Sequence, residues 1–410
     1  MKTQLRMAIY MLAVLFTLAG CKKDNDDGQV PQIGVEVGPA GKAQFVSAAV
    51  GVPYTKATLQ ALATIAGFSA FVPQLQYDVV YYRITYNTTL NGNKIQASGL
   101  LGVPQNTTAA PALLSAQHGT MFADKDAPSN FPSSVTGFEL FASAGFVTVI
   151  PDFIGYGVSK DIVHPYYDMQ SSGLAVVDLI KAAKYYLTTL SKPVAVSDKL
   201  FLVGYSEGGY VTMAAQREIE TNVSHNLTVT AAAEGAGGYD ITGMLAKVAT
   251  VANYPDPSFF ALFIQGYNTT YGFNRPLTDF FKADYAAKIP QLLDGSKTSD
   301  EINLQLASSP AALFNTTFYS SLSNASAEAA FKAKVAANSF PNWYPKSATR
   351  LYHGTADENV YFETTQTTAA RFLAAGSTKL TVIPVPGGTH ETTVLPMMGD
   401  ALTWFKTLSQ

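Results

Sequence analysis

The sequence is short of cysteine, short of charge and lacks the common metal and phosphate motifs. Cysteine occurs once in 410 residues, so an internal disulfide is impossible and the fold must be stabilised by its apolar core. Charged residues amount to 14%, the formal net charge is −3 and no basic stripe is present, which excludes the electrostatic footprint of a nucleic-acid-binding protein. No zinc-type ligand spacing and no GKS or GKT loop occurs, so we expect neither a metal nor an organic cofactor.

Apolar residues make up 47% of the chain, which is typical of a globular protein with a sizeable core. At the N-terminus, Lys2 and Arg6 precede an apolar run at residues 7–18 that is too short to span a membrane. The run ends in Leu18-Ala19-Gly20-Cys21, which resembles a bacterial lipoprotein signal. The resemblance implies a signal peptide at residues 1–20 and a lipid on Cys21 that anchors an exported protein in the cell envelope, at the outer membrane. A structural or reactive thiol is the alternative role for Cys21.

Residues 21–45 are expected to form a polar tether between this anchor and the folded part. Within it, residues 22–28 read KKDNDDG. An acidic run directly after a lipidated cysteine resembles the surface-export signal of some diderm bacteria, and a plain solvated linker is the alternative. Both interpretations stay open, as does the membrane leaflet that holds the lipid.

Strand-like and helix-like segments alternate over most of the remaining chain. Residues 77–86 and 94–103 are strand-like and flank Asn91-Gly92, a strong hairpin turn. Further strands are predicted at 112–116, 146–151, 200–203, 227–233, 350–353 and 380–385, and helices at 55–66, 137–144, 173–190, 210–220, 361–375 and 396–408. This alternation predicts the α/β class: a mostly parallel central sheet with helices on both faces, opened by an N-terminal antiparallel hairpin.

Residues 241–347 interrupt the alternation. They contain helical segments and many bulky aromatic side chains but no convincing strand. One interpretation is a mainly helical cap over a substrate pocket, and the other is a structural insertion with a small core of its own. The first interpretation divides the chain into an α/β domain at 46–240 and 348–410 and a cap at 241–347.

A G-x-S-x-G motif lies at Gly204-Tyr205-Ser206-Glu207-Gly208. The apolar residues 200–203 precede it like a buried strand, and a helix-compatible run at 210–220 follows it. On a sharp turn between a strand and a helix, glycines let the backbone pass closely, and Gly204, Tyr205 and Gly208 would form an elbow that presents Ser206 as a nucleophile. A glycine-rich loop that happens to contain a serine is the alternative.

A nucleophilic serine needs a base within hydrogen-bond reach, and the base needs an orienting acid. Asp357 and His390 each follow a predicted strand, at the edge of a parallel sheet where ligands bind. Their chain order, serine then acid then histidine, is the order of a known class of triad. Glu358 and Asp240 are rival acids, and Asp357 has the alternative role of capping the next helix.

The sequence contains four histidines besides His390. His164 and His225 lie in polar loop contexts, and His118 and His353 precede glycines just past strands. None of the four follows both the serine and the acid in a glycine-rich loop, as His390 does. His390 is therefore the predicted base.

The oxyanion of a tetrahedral intermediate needs backbone N–H donors. One is predicted to be Glu207, which follows the nucleophile at the positive end of the next helix. The second is predicted in the loop after an early strand, where Gly119 or Thr120 would donate, although the alternative is an ordinary turn. Asp152, in the D-x-x-G-x-G stretch at 152–157, is expected to order neighbouring loops rather than to react.

These residues together resemble the α/β-hydrolase superfamily over residues 75–410. The resemblance rests on His118-Gly119, residues 152–157 (DFIGYG), the G-x-S-x-G motif, residues 353–357 (HGTAD) and His390. It implies a serine hydrolase whose catalytic triad is Ser206, Asp357 and His390. Within the superfamily the chain is most similar to secreted lipases and carboxylesterases with a large helical insertion before the acid.

That similarity implies hydrolysis of small-molecule esters, with acyl, aryl and sugar esters all open and the oligomeric state not predicted. A second hypothesis is a serine exopeptidase, because residues 353–360 (HGTADENV) resemble prolyl-oligopeptidase-type peptidases. The segment before the first strand is too short for the β-propeller domain of those peptidases. A third hypothesis, a non-catalytic binding module, would be marked by the loss of a triad residue, and none is lost.

Overall fold

The computed structural model describes residues 39–410. The predicted signal peptide, Cys21 and most of the predicted tether lie outside these residues. None of the helices in the described part combines the length and the apolar character that a membrane-spanning segment needs.

A ten-stranded sheet lies at the centre of the described part, in the strand order β1-β3-β4-β6-β5-β7-β8-β9-β10, with β2 beside β3. The strands are β1 (Phe45–Ala48), β2 (Val52–Tyr54), β3 (Val79–Leu90), β4 (Asn93–Pro104), β5 (Leu113–Gln117), β6 (Val147–Pro151), β7 (Leu200–Tyr205), β8 (Ala231–Gly235), β9 (Ala348–Gly354) and β10 (Leu380–Val385). The strands from β6 across to β10 are paired in parallel, whereas β4 pairs with β3 and β6 in antiparallel fashion. The predicted α/β class is confirmed.

Helices cover both faces of this sheet, and further helices lie in the connection between β8 and β9. They are α1 (Lys56–Ile65), α2 (Leu140–Ser143), α3 (Met169–Thr189), α4 (Glu207–Thr221), α5 (Ile241–Val248), α6 (Pro257–Thr270), α7 (Ala283–Ala286), α8 (Ile289–Leu292), α9 (Ser299–Asn303), α10 (Pro310–Leu313), α11 (Thr316–Leu322), α12 (Ala329–Ala337), α13 (Phe362–Ala374) and α14 (Val394–Ser409). One hydrophobic core joins α3, α4 and α13 to one face, and a second joins α1, α2 and α14 to the other. Alternate residues of β7 point into the two cores, Leu202 into the first and Val203 into the second.

The predicted hairpin forms between β3 and β4. Its turn residues Asn91 and Gly92 have φ values of 51° and 76°. Positive φ at both central positions is the requirement of a two-residue type I′ turn, which explains the Asn-Gly sequence.

Several predicted boundaries are wrong for local reasons. The strand predicted at 227–233 begins only at Ala231, because its partner β7 begins at Leu200 and pairs Phe201 with Ala231. The helix predicted at 137–144 shrinks to α2, since Gly137 has φ 89° and cannot begin a helix. The helix predicted from residue 173 begins at Met169, where the Asp168 side chain accepts a hydrogen bond from the Ser171 backbone N–H and caps it.

The connection between β8 and β9 contains the eight helices α5 to α12 and, among the described residues, no strand of the sheet. A single β-bridge joins Phe281 to Phe314. Buried aromatic rings pack there edge-to-face and tilted, as between Phe318 and Phe331 and between Phe260 and Phe314. The insertion therefore has an aromatic core of its own, while its division from the rest of the chain at 241 and 347 stays a prediction.

Candidate active site

Ser206 lies on the sharp turn between β7 and α4. Its backbone φ of 58° and ψ of −124° place it in a region that non-glycine residues rarely occupy. Two backbone hydrogen bonds hold it there: the Ser206 N–H donates to the Gly235 carbonyl at 2.8 Å, and the Ser206 carbonyl accepts from the Tyr210 N–H at 3.2 Å. The strain is thus fixed by β8 on one side and by the first turn of α4 on the other.

Glycine is required on both sides of this turn. A Cβ added to Gly204 would lie 2.2 Å from the Gly208 carbonyl oxygen, and one added to Gly208 would lie 2.0 Å from the Gln117 carbonyl oxygen. Such distances are impossible for real side chains, so the spacing of the G-x-S-x-G motif follows from the close approach of β5, β7 and α4. The intervening Tyr205 donates its hydroxyl hydrogen to the His390 carbonyl at 2.6 Å.

The structure brings Ser206, His390 and Asp357 together. The Nε2 atom of His390 lies 2.8 Å from the Ser206 hydroxyl oxygen, and its Nδ1 atom lies 2.7 Å from the Asp357 Oδ2 atom. A carboxylate only accepts hydrogen bonds, so Nδ1 carries the proton and Nε2 is left to accept from the serine hydroxyl. The three residues follow the carboxyl ends of β7, β9 and β10. The sheet brings His390 into contact with Ser206, 184 residues before it in the chain, and with Asp357, 33 residues before it.

The Asp357 carboxylate is buried and fully engaged. Its Oδ1 atom accepts from the backbone N–H groups of Asn359 and Val360, each at 2.9 Å, while Oδ2 lies 3.3 Å from the Nε2 atom of His353. Burial raises the pKa of Asp357, but the hydrogen bonds from His353 and His390 outweigh burial and hold the pKa well below its usual range. The carboxylate therefore stays ionised, and it both faces His390 and stabilises the turn that leads to α13.

The two rival acids do not contact His390. The Glu358 side chain is exposed. Asp240 caps α5, where its Oδ1 atom accepts from the Gly243 N–H at 2.9 Å. Among the three acids weighed from the sequence, only Asp357 has the geometry of an orienting group.

The residues predicted to donate to an oxyanion lie around Ser206. Glu207 is the first residue of α4, so its N–H is one of those that the helix leaves unbonded. A Cβ added to Gly119 would lie 3.7 Å from the Ser206 Cβ atom, which places this loop beside the serine. The Thr120 hydroxyl pairs with the Tyr166 hydroxyl at 2.9 Å. The donor role of Glu207, Gly119 and Thr120 stays a prediction.

His164 and His225 are buried, at 7% and 6% exposure. Each pairs with a glutamate of α4: the Nε2 atom of His164 lies 2.7 Å from Glu207, and that of His225 lies 2.6 Å from Glu218. No local sequence signal marks the first pair, because its members are 43 residues apart. The sequence therefore did not indicate that a buried histidine pairs with Glu207, the residue after Ser206.

Asp152 has the ordering role that the sequence predicted. It is fully buried, and its carboxylate accepts hydrogen bonds from the Ser98 hydroxyl at 2.5 Å and from the Ser129 N–H at 2.8 Å. These contacts tie β4 and the loop after β5 to the end of β6.

An apolar pocket of about 70 Å³ opens onto Ser206. Its walls come mainly from the insertion, with one side of α5 (Ile241, Met244, Leu245, Val248) facing one side of α6 (Phe259, Phe260, Phe263), and with Tyr166, Tyr167, Gly238, Tyr254 and Val360 completing it. Tyr254 also donates its hydroxyl hydrogen to the Asn359 carbonyl at 2.8 Å, which links the insertion to the loop of Asp357. Bulky apolar walls around one hydroxyl suit an apolar group next to the reacting atom.

Comparison with known proteins shows the family of the chain and its fold. The family described as secretory lipase matches residues 136–408, about two thirds of the chain. The fold is similar to that of a Legionella pneumophila protein (23% identity, TM-score 0.81, covering 90% of this chain and 98% of that one). It is also similar to LipA, a rice cell wall degrading esterase from Xanthomonas oryzae (25%, 0.75, 89% and 98%), and to Candida antarctica lipase A in its closed state (18%, 0.65, 90% and 82%). No curated protein sequence matches significantly.

Proposed function

Because the chain belongs to the secretory lipase family and is a lipase- or esterase-type hydrolase of the α/β-hydrolase fold, we propose that it cleaves carboxylic esters through an acyl-enzyme on Ser206. The hydrogen-bond chain from Ser206 through His390 to Asp357, at 2.8 and 2.7 Å, is the observation that carries the proposal.

In the first half of the reaction, Ser206 attacks the ester carbonyl while His390 takes the hydroxyl proton on Nε2. Asp357 keeps the imidazole oriented and stabilises its charged form. The oxyanion is held by the N–H of Glu207 and by an N–H from Gly119 or Thr120. His390 then gives its proton to the departing alcohol. Water next attacks the acyl-enzyme carbonyl while His390 takes a proton from it, and His390 returns this proton to the Ser206 oxygen as the carboxylic acid leaves. No step uses a metal or an organic cofactor.

The pocket over Ser206 favours an apolar acyl group, because its walls are aromatic and aliphatic. We assign residues 241–347 as the cap that supplies these walls, and residues 46–240 and 348–410 as the catalytic domain. Membership of a secretory family supports export, and a lipid on Cys21 would hold the enzyme at the envelope.

The test is the turnover of p-nitrophenyl esters from acetate to decanoate, beside peptide p-nitroanilides, followed by treatment with an alkyl fluorophosphonate. We expect the esters to be hydrolysed faster than the anilides, and the reagent to abolish turnover and to modify the peptide that contains Ser206. Faster cleavage of anilides would favour the exopeptidase hypothesis instead. The absence of turnover and of labelling would favour a binding module.

The cap assignment predicts that Met244→Trp shortens the acceptable acyl chain. Met244 lies on α5 in the wall of the pocket, so an indole there would exclude two or three methylenes. At about 0.8 kcal/mol per methylene, kcat/KM for decanoate should fall roughly 10- to 50-fold, while that for acetate should change less than about threefold. Ala246→Trp is the matched control, since Ala246 is exposed on the same helix and outside the pocket. Equal losses for both esters would contradict the assignment.

A further inference from the structure

We propose that the side chains of Glu207 and His164 form a charge-neutral pair, sharing one proton, that positions the Glu207 N–H and keeps negative charge away from the oxyanion. The proposal rests on the function proposed above, because it concerns the donor beside Ser206. Both residues are positioning residues, since their side chains act through the backbone of α4 and do not touch the reacting atoms.

Glu207 is an unusual residue for its place. It directly follows the serine, is only 1% exposed and does not line the pocket. Its Oε1 atom lies 2.7 Å from the Nε2 atom of His164, and its Oε2 atom has no hydrogen-bond partner among the described residues. A buried carboxyl with one partner depends on that partner for its stability.

The number of protons on the pair follows from the second contact of His164. Its Nδ1 atom lies 2.6 Å from the Ile154 carbonyl oxygen, which can only accept, so Nδ1 carries a proton. The contact between Nε2 and Glu207 then needs one more proton, on either atom. Imidazolium with carboxylate and imidazole with carboxylic acid both satisfy it, and both leave the pair with no net charge.

None of the described groups packed against the His164 ring supplies a positive charge to replace it, and Lys160, which lines the same cavity as His164, is exposed. Tyr156 and Tyr166 pack against the His164 ring, and burial raises the pKa of both phenols well above the ordinary value. Tyr167 lies nearby, and burial raises its pKa too. His118 stacks on Phe153, and burial lowers its pKa, which favours its neutral form. The negative charge of Asp152 raises the pKa of His118, and the Asp152 carboxylate accepts hydrogen bonds from Ser98 and Ser129.

The position of the pair gives it a consequence for catalysis. A carboxylate one residue from the nucleophile, without a counter-charge and shielded from water, would repel the negative charge that develops on the substrate oxygen. Loss of the contact with His164 would also release the first turn of α4 from the loop after β6. Removing His164 should therefore be worse than removing the charge of Glu207, because only the first change leaves a carboxyl unpaired.

A double-mutant cycle tests this order. At pH 8, we expect His164→Gln to lower kcat for p-nitrophenyl butyrate about 30-fold with less than about a threefold change in KM, and Glu207→Gln to lower it less than about fivefold. The double variant His164→Gln/Glu207→Gln should recover to within about threefold of Glu207→Gln, because the unpaired carboxyl is gone.

The chain offers a matched control in His225, which is buried and paired with Glu218 on the same helix. Glu218 lies about 16 Å further along α4, at 1.5 Å per residue. His225→Gln should lower the melting temperature and leave kcat within about twofold. If the losses of the two single variants instead multiply in the double variant, or if kcat follows only the fall in melting temperature, the pair is structural and the inference is wrong. Loss of all turnover in Ser206→Ala separates that result from a failure of the proposed function.

Discussion

Replacement of Ser206 by alanine is expected to lower kcat on p-nitrophenyl esters by about 10⁴- to 10⁶-fold with little change in KM. The reason is that the serine hydroxyl is the atom that His390 contacts, at 2.8 Å, and no other hydroxyl is described within hydrogen-bond distance of that ring nitrogen. Apart from Ser206, the pocket is lined mainly by apolar and aromatic side chains that this variant leaves in place, so substrate binding should persist. Active-site titration with the fluorophosphonate should show no labelling at the peptide of Ser206.

Ser206→Gly is the matched control for this variant. It removes the same hydroxyl, so it should be equally inactive, but it also relieves the backbone, which has φ 58° at this residue. Strain of this kind costs on the order of 1–3 kcal/mol, partly offset by the greater freedom of glycine in the unfolded chain. We therefore expect the free energy of unfolding of Ser206→Gly to exceed that of Ser206→Ala by about 1 kcal/mol, measured by urea denaturation. An alanine variant with wild-type turnover would overturn the assignment of Ser206.

The triad of Ser206, Asp357 and His390 could be proposed from the sequence because local sequence features mark each residue. A short apolar strand precedes each one, and the carboxyl ends of parallel strands meet at one edge of a sheet. Chain order does not separate Asp357 from Asp240, because both lie between Ser206 and His390. The structure separates them, because Asp240 caps α5 whereas Asp357 contacts His390.

The contacts of His164 and Tyr254 could not be proposed in this way. His164 lies in the loop between β6 and α3, and its pairing with Glu207 depends on how that loop folds across the start of α4. Tyr254 reaches Asn359 over 105 residues, from an insertion whose periodicity predicts helices but not their packing. Loop folding and the docking of an insertion depend on tertiary contacts, which the spacing of residues in one sequence does not encode.

The second large effect is expected at Asp357, where asparagine should lower kcat about 10³- to 10⁴-fold. The Oδ1 atom of Asp357 accepts from the backbone N–H groups of Asn359 and Val360, so the amide oxygen of an asparagine would occupy that position. Its NH₂ group would then face the Nδ1 atom of His390 and would donate to it. The imidazole proton would move to Nε2, where it would face Ser206, and His390 could no longer accept the serine proton.

Two measurements separate this tautomer effect from a loss of stability. Because the pKa of Asp357 is lower in the folded protein than in the unfolded chain, the carboxylate stabilises the fold above about pH 4, and this contribution is lost as the pH falls further. The difference in melting temperature between wild type and Asp357→Asn should therefore be larger at pH 7 than at pH 3. The kinetic loss should persist at pH 7 and 20 °C, where both proteins are folded. Glu358→Gln, at the exposed neighbouring acid, should keep kcat within about twofold. If Glu358→Gln were instead the inactive variant, the orienting acid would be Glu358, and the contact between Asp357 and His390 would have only a structural role.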